Sequence, residues 1–145
     1  MENLNILLKN LIILSLKVKN YHWNVIDANF FSIHKQLDEI HGLLLNQIDD
    51  LAEVIRSSGV FINTDLKDYI NNTQLNSMVN PGSSAKIIIK NLSSDYIMLI
   101  SQIKNIITPT NIDSMVISDF CIQLLGSFQK TLWMLESSIV ENIKT

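Results

Sequence analysis

Phe30-Phe31-Ser32-Ile33-His34-Lys35-Gln36-Leu37-Asp38 opens a long run of helical periodicity. From Phe30 onward, Ile33, Leu37, Ile40, Leu44, Ile48, Leu51 and Ile55 recur every three or four positions, and the pattern stops at Ser57-Ser58-Gly59. An apolar stripe of that period marks a helix with one buried face, and glycine directly after it is a helix stop. The stretch predicts a helix over about 29–58. It also carries His34 and, four residues later, Asp38, which are neighbours on one helical face. Upstream, Tyr21-His22-Trp23-Asn24-Val25 holds another of the chain's 3 histidines.

Working outward, Leu4, Leu7, Leu8, Leu11, Ile12, Leu14 and Val18 keep helical spacing and predict a first helix over 3–26, separated from the second by Asp27-Ala28-Asn29. The segment from Gly59 to Ser84 is polar and broken, with Leu66, Tyr69 and Ile70 at the spacing of a short helix. Asn80-Pro81-Gly82-Ser83 reads as a turn feeding an N-cap for a helix over 84–106. Thr108-Pro109-Thr110-Asn111 breaks the chain again, and a last helix is expected from Met115 to about Asn142. Four long helices with one extended connection describe an all-α four-helix bundle with a short extra helix in its crossover. The 145 residues, 47% hydrophobic with only 4 Gly and 2 Pro, fit one helical domain over 1–145 better than a turn-rich sheet protein.

Charge and cysteine content remove several function classes. The 14 acidic and 11 basic side chains leave a net charge of −3, which provides no general attraction to nucleic acid or anionic lipid. The single Cys121 forms no intrachain disulfide, and the Met1-Glu2-Asn3 start lacks a basic signal region, so a cytoplasmic location is expected. The apolar run Leu11–Leu16 falls far short of the roughly 20 residues that span a bilayer.

The histidines pose a question of geometry. In an antiparallel hairpin pivoting near Ala28, His22 and His34 lie at similar height. Asp49 and Glu53 repeat the four-residue spacing of His34 and Asp38 on the same helix. Asp38 and Asp49 point within roughly 20° of each other but lie roughly 16 Å apart along the axis. One metal ion, with ligands at about 2.0–2.2 Å, cannot reach both pairs on one helix. Two copies of that helix packed antiparallel about a twofold axis near Leu43 and Leu44 bring His34 and Asp38 of one level with Asp49 and Glu53 of the other. Ile40, Leu43, Leu44 and Leu45, with Gly42 allowing close approach, are the expected apolar contacts. Imidazole and carboxylate ligands without thiolate suit iron, manganese or zinc.

His22-Trp23-Asn24-Val25, His34 with Asp38, Asp49-Asp50-Leu51-Ala52-Glu53, Leu66-Lys67-Asp68-Tyr69-Ile70 and Leu132-Trp133-Met134-Leu135, in this order and covering nearly the whole chain, resemble the signature of the Dps family of ferritin-like mini-ferritins. The resemblance implies a dodecameric shell that oxidises Fe(II), preferably with hydrogen peroxide, at ferroxidase centres on twofold interfaces, and stores Fe(III) inside. It assigns His22, His34 and Asp38 from one subunit and Asp49 and Glu53 from its twofold partner as the ligands, with iron as substrate and zinc or manganese as substitutes. It also places Trp23 beside the centre, Glu39 at the inner surface as a nucleation candidate, and Asp119 and Asp113 at acidic pores.

His41 follows Asp38 by three residues, but a bundle-core di-iron centre needs a second such motif, so a surface or cavity role is expected. Trp133, Phe120, Phe128 and Cys121 read as packing on the last helix. Neither end of the chain is basic, so direct DNA binding is expected to be weak or absent. The competing reading is a structural or interaction protein of the same fold, adhesin- or antigen-like, whose centre is empty or holds zinc without turnover.

Overall fold

The computed structural model describes residues 1–76, 80–107 and 112–138, with only the backbone for 112–114. The described residues form α1 (Glu2–Asn24), α2 (Phe30–Ser57), α3 (Leu66–Asn72), α4 (Ala85–Ile106) and α5 (Ile112–Ser137), with no strand among them. The expected all-α architecture, four long helices with a short one in the crossover, is therefore present. The last helix starts three residues earlier than Met115, and its expected end near Asn142 lies outside the described residues.

α1 ends two residues sooner than its periodicity predicts because Val25 is extended, with φ −64° and ψ 136°. The chain there pairs with the turn before α4. Ile26 N donates to Ser83 O at 3.2 Å, and Gly82 N donates to Asn24 O at 2.9 Å. Gly82 holds φ +78°, a conformation that costs glycine nothing and strains other residues. The expected cap of α4 is supplied from elsewhere: Ser84 makes no side-chain cap bond, and Ala85 N donates instead to Asp27 Oδ2 at 2.9 Å. At the other end of α2, Gly59 at φ +90° terminates the helix as its position predicts.

Three buried or half-buried pairs fix α1 antiparallel to α4. Asn91 Nδ2 donates to the Tyr21 hydroxyl at 2.9 Å, Lys17 Nζ lies 2.7 Å from Asp95 Oδ2, and Asn10 Nδ2 donates to Gln102 Oε1 at 2.9 Å. Since α1 is antiparallel to both α2 and α4, the last two run the same way. The connection 58–84 must then return along the bundle, a span of about 42 Å for the 28 residues of α2. α3 lies on that path with Tyr69 buried. Asn10, fully buried, ties the path to α1 by accepting from Thr73 Oγ1 and Gln74 N, both at 3.0 Å.

The core stripe of α2 consists of Ile33, Leu37, Ile40, Leu44, Leu51 and Ile55, all buried. This corrects the expected subunit interface: Ile40 and Leu44 face their own bundle, and only Leu43 and Leu45 of that group are exposed apolar residues. An apolar stripe satisfies its own core first, because truncating a residue such as Leu44 to Ala costs about 2–5 kcal/mol. On α5, Cys121 and Phe128 are buried and Phe120 is partly so, as expected, but Trp133 is 63% exposed and does not pack in the core. Among the described residues no helix is long and apolar enough to cross a membrane.

Candidate metal centre

The α1–α2 hairpin turns at 25–29 and brings His22 against His34. Their rings stack with centroids 3.7 Å apart and planes inclined by 22°, and Phe30 stacks against His34 at 4.9 Å. The contact is reciprocal. His22 Nδ1 lies 2.9 Å from the His34 carbonyl oxygen, and His34 Nδ1 lies 2.8 Å from the His22 carbonyl oxygen. A carbonyl oxygen only accepts, so each Nδ1 donates, and in the neutral ring Nε2 keeps its lone pair. Donation from the far ring nitrogen to a main-chain carbonyl is the support that metal-ligating histidines normally have. Both rings are thus held in the tautomer a metal needs.

Asp38 follows on the same face of α2. Its Oδ1 lies 3.9 Å from His22 Nε2 and accepts from Lys19 Nζ at 2.6 Å. The hydrogen bond and charge of Lys19 hold the Asp38 carboxyl below the usual carboxylate range. His41 is half-buried. Burial and the Lys19 charge push its imidazole below the ordinary value, against the opposing pull of Asp38. It therefore shares the field of this cluster. Lys19 is the functional neighbour missed in the sequence, although it sits three residues before His22 and hence on the same face of α1.

Asp49 and Glu53 are exposed on α2, with Asp49 roughly 16 Å further along its axis than Asp38. Glu53 and Asp50 edge a groove of about 570 Å³ between α2 and α5, lined also by Gln47, Gln123 and Ser127. The chain thus brings His22 against His34 and near Asp38, and leaves Asp49 and Glu53 apart from them. Among the described residues, no three His, Cys, Asp or Glu side chains converge closely enough to hold a metal ion.

The remaining sequence candidates separate. Glu39 is exposed, with Lys35 Nζ 3.9 Å from its Oε1, so its charge is partly offset. Asp119 is exposed on α5 and accepts from Gln123 Nε2 at 2.9 Å. The Asp113 side chain lies outside the described residues. Trp23, next to His22 in the chain, is 68% exposed, and Ile26 and Phe31 are exposed as well.

The family model for the ferritin-like domain matches residues 1–144. The chain is 32% identical over 129 residues to the DNA protection during starvation protein of Helicobacter pylori, covering 88% of this chain and 90% of that one. The chain belongs to the Dps family of ferritin-like proteins. Among solved structures, the Dps of Staphylococcus aureus superposes with a TM-score of 0.90 at 27% identity, over 97% of this chain and 95% of that one. The Dps protein of Vibrio cholerae O1, a member of a broad superfamily of ferritin-like diiron-carboxylate proteins, gives a TM-score of 0.88 over 94% and 86% of the two chains. At 23% identity that likeness shows the fold alone. Dps membership supports a mini-ferritin role for the chain, with iron as the metal its fold suggests.

Proposed function

We propose that the chain oxidises Fe(II) with hydrogen peroxide, or with dioxygen, at centres shared between twofold-related subunits, and stores the Fe(III) in a dodecameric cytoplasmic shell that protects against oxidative stress. The reciprocal His22–His34 bonding carries this reading, because it leaves both Nε2 atoms as donors to a metal, that of His22 3.9 Å from the Asp38 carboxylate. Asp49 and Glu53 of a partner subunit complete the set. Zinc or manganese fits the same donors as a substitute.

The ligand types divide the work. Neutral imidazoles accommodate Fe(II), and hard carboxylate oxygens favour Fe(III). Two Fe(II) substrates each give up one electron, the peroxide O–O bond breaks, and two protons are taken up to form two waters. Passing both electrons in one event avoids releasing a hydroxyl radical. Asp49 and Glu53 add the negative charge that draws the product toward the Fe(III) state.

Anaerobic loading with Fe(II) followed by peroxide tests the proposal. Rapid oxidation at one peroxide per two Fe(II), lost in His34→Ala and Asp38→Asn variants of unchanged oligomer mass, is expected. Rates equal to buffer contradict it. The Lys19–Asp38 contact favours one competing reading, an interaction protein of this fold whose centre is empty or holds zinc without turnover, and buffer-level rates with intact assembly select that reading.

A further inference from the structure

The Lys19 ammonium stands where a cation is wanted. It lies 2.6 Å from Asp38 Oδ1, the same oxygen that lies 3.9 Å from His22 Nε2. Lys19 and His22 are three residues apart on α1, and both reach across to α2. The stem of Lys19 is largely covered while the Asp38 side chain is 58% exposed, so the ammonium is delivered to a carboxylate that faces outward from the bundle. We infer that Lys19 is a resident counter-cation of the metal centre: it neutralises Asp38 while the centre is empty and is displaced when metal enters.

This inference rests on the shared-site reading above. Docking two subunits in that way sets Asp38 of one beside Asp49 and Glu53 of the other, three carboxylates converging with no metal between them. Like charges at close quarters oppose association. Lys19 removes one of the three charges before metal arrives.

The exposure of the pair decides how strongly it acts. Ion pairs open to water are weak, and their partners exchange readily. Lys19 therefore tunes metal entry without blocking it. Its removal has two effects of opposite sign: metal binds more tightly because no ammonium competes or repels it, and the metal-free assembly weakens because the carboxylates face one another.

Lys19→Met keeps the apolar stem and removes the charge, Lys19→Arg keeps the charge, and Lys19→Gln repeats the test should the methionine variant not fold. Anaerobic calorimetric titration with Co(II) reads affinity, and dilution of the metal-free protein reads assembly. Lys19→Met is expected to bind Co(II) about three- to tenfold more tightly than the natural chain and to dissociate at higher protein concentration, with Lys19→Arg close to the natural chain in both. Unchanged or weaker Co(II) binding in Lys19→Met overturns the inference. Asp38→Asn, titrated alongside, isolates the underlying reading: if it binds Co(II) like the natural chain, Asp38 is not a ligand and the shared site itself fails.

Discussion

His22 and His34, on different helices, fix each other: each imidazole donates through Nδ1 to the other residue's main-chain carbonyl, at 2.9 and 2.8 Å, and the rings stack between those bonds. One arrangement therefore closes the α1–α2 hairpin and sets the tautomer of both prospective ligands.

Truncation at either position should damage structure and binding together. His34→Ala removes one ligand and the ring that stacks on the other, so Co(II) affinity is expected to fall at least about 10–100-fold. The loss of the His34 Nδ1 bond to the His22 carbonyl should lower stability by about 0.5–1.5 kcal/mol. Titration and urea denaturation of the same variant check both. Loss of binding at unchanged stability would show that the reciprocal bonds do not hold the hairpin.

A second buried contact makes a stability prediction away from the centre. Lys17 Nζ lies 2.7 Å from Asp95 Oδ2 between α1 and α4, but Oδ2 accepts no well-formed hydrogen bond, and burial pushes the Asp95 carboxyl up. Lys17→Met strands that carboxylate and is expected to cost about 3–5 kcal/mol, whereas Lys17→Met with Asp95→Leu should be neutral or stabilising. Equilibrium denaturation of the natural chain and both variants measures the difference.

The crossover depends on Asn10. Asn10→Ala removes three half-buried hydrogen bonds, to Thr73, Gln74 and Gln102, and at about 0.5–1.5 kcal/mol for each it should destabilise the protein by about 2 kcal/mol or more. Hydrogen exchange should quicken first at residues 73–75, where the path is tied to α1.

Asp27 gives a pH dependence of definite sign. Hydrogen bonds from Asn29 N, the larger cause, and Ala85 N hold its carboxyl below the usual value. A carboxyl lowered on folding stabilises the folded state above its unfolded value, and that contribution is lost as pH falls through the lower folded value. Asp27→Asn is therefore expected to melt earlier than the natural chain at pH 7, with the gap closing at pH below about 4. Melting curves across that range check it.

The sequence made the helices legible because α2 repeats its apolar residues at the helical period and ends on Gly59. It did not reveal which apolar residues face outward. Ile40 and Leu44 were expected at the interface, yet they lie in the same stripe as Leu37 and Leu51, and the bundle claims them. Buried Gln47 interrupts that stripe with a polar side chain, whose Nε2 donates to Ser127 Oγ at 2.8 Å, a partner 80 residues away. Asn10, Asp27 and Lys19 were overlooked for a similar reason. Each acts through a contact between separate segments, and local spacing carries no trace of it. The histidine pair was legible because both residues flank a short turn. The placement of Asp49 and Glu53 beyond their reach followed from helix geometry alone.

Co-assembly of two crippled chains tests the shared centre most directly. One chain carries His34→Ala and Asp38→Asn, the other Asp49→Asn and Glu53→Gln, and each alone should fail to oxidise Fe(II). Unfolded together and reassembled, they form mixed twofold pairs in which one centre takes all its ligands from intact positions and the other keeps only His22. With random pairing, about a quarter of the natural activity should return. If native mass spectrometry shows mixed assemblies and activity stays at the level of the separate variants, the centre is not shared between subunits.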